Sequence, residues 1–437
     1  MKPNLSCWSS LGNSDLVHKV LETALCDTHE HLQRHTDFTP EKVDILGALF
    51  ENYVIADLVV AGASPGAVDD LFNPEAGSVA ERFRAVEEAW SRCRHTGYGE
   101  GVRLAAEHFY GLEELTPATL TDAQGTHAEL MRTRTRLQIL QEDAHLDHVQ
   151  IDDFTMEIVT DEEDPDYFLY DISLWDLVVG KPDADALGRL TGEAVTDLRS
   201  AEVAVAKLFE RFGAEAVACK TQHAYIRTLA WQKRDRDDAA RLLDRYLKTP
   251  KELTPEEHNL LGDWFLDVCS GLASEHSLPI KIHTGYYAGH SRMPLDFISC
   301  EHLCGLLAAH PDTDFVLMHN SYPYSMELAA LAKHYPNAYV DMCWAWSINP
   351  LDASNFLRHA IHSVPANKVF VFGADTSWPI ASYAYAMQAR YWLTYTLQRE
   401  VEEGHLSERE AMAYAERMMH RNQYDCFARL QRREATH

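Results

Sequence analysis

Several short apolar runs in this chain end in a histidine, lysine or aspartate, in an order that a parallel β/α barrel would bring together. ALCDTHEHL carries His29 and His31, AVACKTQ carries Lys220, and PIKIHTG carries His283; DFVLMHN and VFVFGAD carry His319 and Asp375. A parallel strand covered on both faces normally reads as Val, Ile and Leu. A ligand-type residue at its carboxyl end therefore needs a partner. In a barrel all such ends converge on one face, where the chemistry sits. The pattern predicts a (β/α)8 barrel, TIM-like, with a metal centre at that face.

At 437 residues the chain is far longer than the ~250 of a bare eight-stranded barrel, which leaves room for an inserted segment. MKPNLSCWSSLGNSDLVHKV does not pair a basic start with an apolar core, so no secretory signal is expected there. No window approaches the ~18 apolar residues of a membrane span. Nine scattered cysteines without a CxxC pair suit reduced thiols and a cytoplasmic setting. The net charge of -28 argues against nucleic acid or an anionic membrane as partner. It leaves open a small anionic substrate, because a bound metal and a local arginine would dominate the field in a pocket.

Between the first run and the rest, residues 43–112 read as a helical insertion, with apolar residues three and four apart, as in Phe83, Val86 and Trp90. Insertions after a barrel strand commonly wall the active site. The second strand is expected near His148 to Ile151 and the third near Tyr167 to Ile172. The fourth, fifth, sixth and eighth are the runs ending at Lys220, His283, His319 and Asp375, and AYVDMCW supplies the seventh. The helix before PIKIHTG is well marked, with Thr254 as cap, Pro255 in its first turn and Glu257 closing a capping box. A tail over 402–435 begins with a second box, Ser407 and Glu410, and is expected to be a terminal helix. The whole of 1–437 reads as one barrel domain carrying these additions.

His29 and His31 lie two apart on a strand, so both rings point the same way. Imidazole is the commonest ligand for zinc and related metals, although an HxH pair is also compatible with two ordinary histidines. Asp27 either orients one of these rings or caps the loop. Lys220 is out of place mid-strand, since lysine is rarely buried unpaired. It reads as a metal ligand in carboxylated form, with a salt bridge or a snorkelling lysine as alternatives. Lys281 is a rival inward-facing lysine set deeper in the barrel. Asp375 suits both metal binding and acceptance of the proton of an attacking water, and His319 is a second catalytic candidate. Zinc is the expected ion, one or two per chain, with manganese or iron possible.

These motifs resemble the amidohydrolase superfamily, with HxH on strand one, Lys on strand four, His on strands five and six and Asp on strand eight. The likeness is nearest to the Amidohydrolase 2 group, including domains fused to glutamine-synthetase-like proteins, and more distant to uronate isomerases. DTHEHL, CKTQHAYIRTL, KIHTGYY, MHNSYPY and PANKVFVFGADTSWP carry it. The resemblance implies metal-dependent hydrolysis of a small amide, ester or lactone, a carboxylate-bearing one if Arg227 grips it with two prongs. Tyr225, Tyr286, Tyr322, Trp344 and Trp378 lie just beyond strand ends and are candidates to line the mouth; His223 and His290 are candidate acid–base groups. Two other reactions use such a scaffold. Uronate isomerases carry an arginine-containing stretch after the strand-eight Asp, where this chain reads TSWPIASYAYAMQ. Decarboxylases of the group typically do without the strand-four lysine. A non-catalytic scaffold with a vestigial site is the remaining alternative, and it predicts missing ligands. The resemblance also suggests a homo-oligomer.

Overall fold

A computed structural model describes residues 6–436. Eight parallel strands form the barrel wall: β1 Leu25–Glu30, β2 Leu146–Ile151, β3 in two pieces (Phe168–Tyr170 and Ile172–Ser173), and β4 Cys219–Thr221. They continue as β5 Ile280–His283, β6 Phe315–Met318, β7 Ala338–Asp341 and β8 Val369–Phe370. Each pairs with the next in parallel register. The two pieces of β3 belong to one extended segment, since Asp171 N still donates to Ile151 O (2.9 Å). Closure runs between the end of β8 and β1: Thr28 N donates to Phe372 O (3.1 Å), Asp375 N to His29 O (2.9 Å) and His31 N to Thr376 O (3.0 Å). Closing the sheet removes both of its edges.

The crossover helices follow from local signals. Pro255–Glu275 has the anticipated Thr254–Glu257 capping box, satisfying otherwise orphaned N–H groups. It buries Leu261, Phe265 and Leu266, each worth about 1.5–3 kcal/mol of transfer free energy.

Two expectations need correction. The helical segment after β1 does not stop at 112; it continues through Pro117–Thr133 to a π-helical turn at Ile139–Asp143. PATLTDAQGTHAELMRT buries only Leu120, Ala123 and His127, so its apolar stripe is too thin to register as periodicity. The tail is not one helix either. From the Ser407–Glu410 box it runs Glu408–Glu416, widens at Arg417–Arg421 and breaks after Asn422–Cys426, before a last helix at Ala428–Thr436.

That break has a purpose in packing. Phe427, Tyr424 and Leu430 enter a buried cluster with Cys26, Leu169, Val316 and Phe370 from the strands and Val217 just before β4, so the tail stoppers the barrel. Above it lies a charged layer: Lys281 Nζ pairs with both oxygens of Asp171 (2.9 Å each) and donates to Thr28 O (2.8 Å). Lys281 is a structural ion pair inside the barrel. Among the described residues no helix is long and apolar enough to cross a membrane.

Candidate metal centre

The end of β1 is fastened to the segment after β8, which is how residues 346 apart in sequence come to share a site. Asp27 Oδ1 accepts from His29 N (2.9 Å) and Ala374 N (3.4 Å), and Glu30 Oε2 accepts from Thr376 N (2.7 Å). Asp27 therefore caps the backbone rather than orienting a ring. Gly373 makes the approach possible: a Cβ there would sit 2.6 Å from both Cys343 Sγ and Thr28 Oγ1. With this frame set, Asp375 is delivered over the HxH pair.

The result is a near-equilateral triangle. His29 Nε2 and His31 Nε2 are 3.3 Å apart, and each is 3.3 Å from Asp375 Oδ1. Lys220 Nζ is also 3.3 Å from His29 Nε2. One imidazole nitrogen carries at most one hydrogen, so His29 Nε2 cannot satisfy three polar neighbours at once. Donors about 2.0–2.1 Å from a tetrahedral zinc stand about 3.3–3.4 Å from one another. The cluster fits a cation and no single hydrogen-bonding scheme.

The outer partners agree. His31 Nδ1 lies 2.8 Å from Asp152 O and His319 Nδ1 lies 3.1 Å from Cys343 O. In each neutral ring that N–H donates to a carbonyl and leaves Nε2 as a bare lone pair, the tautomer a metal requires. His319 Nε2 is buried with no partner among the described residues. Asp375 turns Oδ2 toward His319 (Nδ1 at 3.9 Å), so its carboxylate spans both sides of the site. His283 lies against His319 with the rings tilted by 57° and their centres 4.2 Å apart, but its Nε2 faces Gly285 O (3.0 Å) and Tyr286 O (2.9 Å). Only its Nδ1 is left to ligate. The triangle thus brings together three of the six anticipated ligands, with Lys220, His283 and His319 around it.

Burial, and next the charge of Lys220, hold His29 well below the ordinary imidazole range. His283 is held down by burial and its neighbour His319, and burial brings His319 to about 4. Burial opposes charge on Asp375 too, yet His29, His31 and His319 outweigh it and keep the carboxyl well below its usual range. Burial opposes a charge on His31 as well, but its hydrogen bond to Asp375 and that carboxylate's charge outweigh burial and raise its pKa, so Asp375 is ionised beside a His31 drawn toward its charged form, while His29 and His319 are held toward the neutral ring.

Strain marks the same strand ends. His319, Asn320, Trp344 and Asp375 have φ of 60°, 57°, 60° and 55°. Such conformations cost about 1–3 kcal/mol each in non-glycine residues and cluster at functional sites.

A pocket of about 410 Å³ opens onto this centre, lined by His31, Lys220, His283 and Asp375 together with Tyr53, Phe154, Trp175, Gln222, Tyr225 and Ala288. Of the anticipated substrate contacts only Tyr225 is among them. Arg227 requires correction: it is buried, its guanidinium bonded to Asp263 and to the carbonyls of Val178, Asn259 and Ala230, so no prong is free. Tyr286 packs near Tyr322 and Trp344 (6.1 Å each), and Trp378 packs on Phe38 (5.1 Å). None of these four lines the pocket. His223 is fully buried against Thr221, and His290 is exposed in the loop after β5.

Five lining residues escaped the sequence reading, Ala288 and four larger side chains. Tyr53, from the insertion, donates its hydroxyl hydrogen to Asp375 O. Phe154 stacks on the His31 ring (4.7 Å, 8°). Trp175 follows β3 and Gln222 follows β4, positions where strand-end loops carry function. That rule was available for all but Tyr53.

Residues 181–414 match the family model described as Amidohydrolase. Over 163 residues, 35% of its length, the chain is 31% identical to protein fluG of Emericella nidulans, of which it spans 19%. The structure is similar to that of a uronate isomerase from Thermotoga maritima (TM-score 0.79, 15% identity, 94% of this chain and 96% of that one). It is also similar to a glucuronate isomerase from Caulobacter crescentus (0.77, 16%, 97% and 95%). With more than half of its length in the matched region, the chain belongs to the amidohydrolase family.

Proposed function

We propose that the protein is a metal-dependent hydrolase that directs water at a small amide, ester or lactone. The observation that supports this best is the triangle of His29, His31 and Asp375, whose equal edges suit a tetrahedral cation. A divalent ion there, zinc by preference and manganese or iron as alternatives, would supply Lewis acidity, lowering a water's pKa to ~7 and polarising a carbonyl oxygen. Lys220, once its ammonium had lost two protons and bonded carbon dioxide as a carbamate, would offer an oxygen as a fourth donor beside His29 and room for a second ion.

The chain's own residues do the rest. Asp375, ionised and held by Tyr53 at its backbone, accepts the proton of the attacking water and returns it to the leaving group. Tyr53, Phe154, Trp175 and Tyr225 wall the cleft with aromatic surface, and a lower local dielectric strengthens the charge interactions beside them.

Turnover of an amide, ester or lactone panel in ¹⁸O-labelled water tests this reading. One solvent oxygen in the acid product is expected. The fold shared with uronate isomerases keeps aldose–ketose isomerisation as a second reading; it predicts exchange of solvent hydrogen at carbon and no oxygen incorporation. Release of carbon dioxide would indicate decarboxylation instead.

A further inference from the structure

Gln222 is the least explained polar group at the pocket. It follows β4 directly, is 4% exposed and lines the cleft beside Lys220 and Tyr225. Both its Oε1 and its Nε2 are buried without a partner among the described residues. Most buried side-chain polar atoms are hydrogen-bonded, and an orphaned pair calls for an explanation. Leaving donor and acceptor unpaired is costly, whereas a ligand that pairs both recovers that cost on binding.

The charges around Gln222 narrow the ligand. Lys220 is already flanked by Asp152 (Nζ–Oδ2 3.9 Å), and Arg227 is engaged with Asp263, so the pocket presents no arginine to a substrate carboxylate. The remaining wall is aromatic. A carboxamide side chain offers one N–H and one C=O edge to edge. A carboxylate has acceptors only and would set an oxygen against Oε1. A primary carboxamide pairs with both atoms in one plane. We propose that Gln222 determines specificity by recognising a neutral carboxamide on the substrate, in preference to the isosteric carboxylate. A site built to hydrogen-bond a group rejects the analogue that cannot reciprocate far more strongly than an apolar pocket rejects a shape change.

This deepens the hydrolase reading by naming the group held, but its test is a binding measurement that stands whether or not the reaction is hydrolysis. Benzamide and benzoate share an aromatic ring suited to the Phe154, Trp175 and Tyr225 walls and differ only in the group offered to Gln222. Both are titrated by calorimetry or ligand-observed NMR into the metal-loaded protein and into Gln222→Leu and Gln222→Glu. Comparing ratios removes any general affinity of benzoate for the metal. The ratio of benzamide to benzoate affinity should fall at least about tenfold in Gln222→Leu. Gln222→Glu, which keeps the shape but loses the N–H donor, should bind benzamide at least about tenfold more weakly than the wild type, and it serves if the leucine variant folds poorly. An unchanged ratio in Gln222→Leu, unchanged benzamide affinity in Gln222→Glu, or no measurable benzamide binding to the wild type overturns the assignment.

Discussion

The hydroxyl of Tyr53, on the helical insertion, donates to the main-chain carbonyl of Asp375, at the end of the barrel's last strand. The ring is also packed on Trp344, centres 4.2 Å apart, so one residue ties the insertion to two strand ends at once. Burial, then the charge of Asp375, raises its pKa well above the ordinary phenol range, which keeps the donor protonated at any working pH.

Tyr53→Phe removes this bond while keeping the ring. A net hydrogen bond contributes about 0.5–1.5 kcal/mol, so the melting temperature should drop by only a few degrees. Turnover should suffer more, since a small displacement of Asp375 matters to proton transfer. Steady-state kinetics beside a thermal melt distinguishes the two; equal, small losses in both would reduce Tyr53 to packing.

Asp375→Asn keeps size and removes the charge. If Asp375 handles the proton, kcat falls by about 10²–10⁴-fold, and metal retention through dialysis weakens as well, because one corner of the triangle becomes neutral. Activity restored by excess metal to wild-type levels would show that Asp375 only holds the ion.

Gly285 follows the His283 strand, and a Cβ at this position would lie 2.5 Å from His319 Cβ and 2.9 Å from His319 O. Both are rigidly placed atoms, so Gly285→Ala must displace the β6 end. Overpacking of this kind costs about 1–3 kcal/mol. The expected outcome is a lower unfolding midpoint in urea together with an activity loss of at least about tenfold; full activity would mean that the His319 position is immaterial.

Asp147 anchors the tail beneath the barrel, with Tyr424 Oη at 2.9 Å, Arg433 Nη1 at 3.1 Å and His148 Nδ1 at 2.8 Å. Burial favours its neutral form, but hydrogen bonds from His148 and His420 and the charge of Arg433 outweigh this and hold its pKa far below the usual carboxyl range. The folded state then binds fewer protons at Asp147 than the unfolded chain does. Its contribution is present in full above the unfolded value of ~3.9 and is lost as pH falls below that. Asp147→Asn should lose about 1.5–3 kcal/mol at neutral pH, and the gap to wild type should narrow toward pH 3. A gap that widens on acidification would reverse the sign of this account.

How much of this was legible in sequence depends on the range of the interaction. The strand ends stood out because His29, His31, Lys220, His283, His319 and Asp375 each interrupt or close an apolar run, a local signal that the barrel converts into proximity. The Thr254–Glu257 and Ser407–Glu410 boxes were equally local. Arg227 was misjudged because its partner, Asp263, lies 36 residues on, inside a helix, where nothing in the text links the two. Tyr53 was invisible for the same reason at a separation of 322 residues. Pro117–Thr133 went unread because the helix is held mostly by its caps: Thr116 and Thr119 bond each other's backbone while few side chains are buried. Gln222 was in plain view after Lys220, but only the folded chain reveals that both ends of its carboxamide lack a partner.

The central claim is that His29, His31 and Asp375 hold a divalent cation. Elemental analysis of the native protein after exhaustive dialysis, set against His29→Ala and His31→Ala variants, tests it most directly. The account predicts about one or two transition-metal ions per chain in the wild type, and less than about a tenth of that in either variant. Native protein that is active yet free of stoichiometric metal, or variants that retain it in full, would contradict the account.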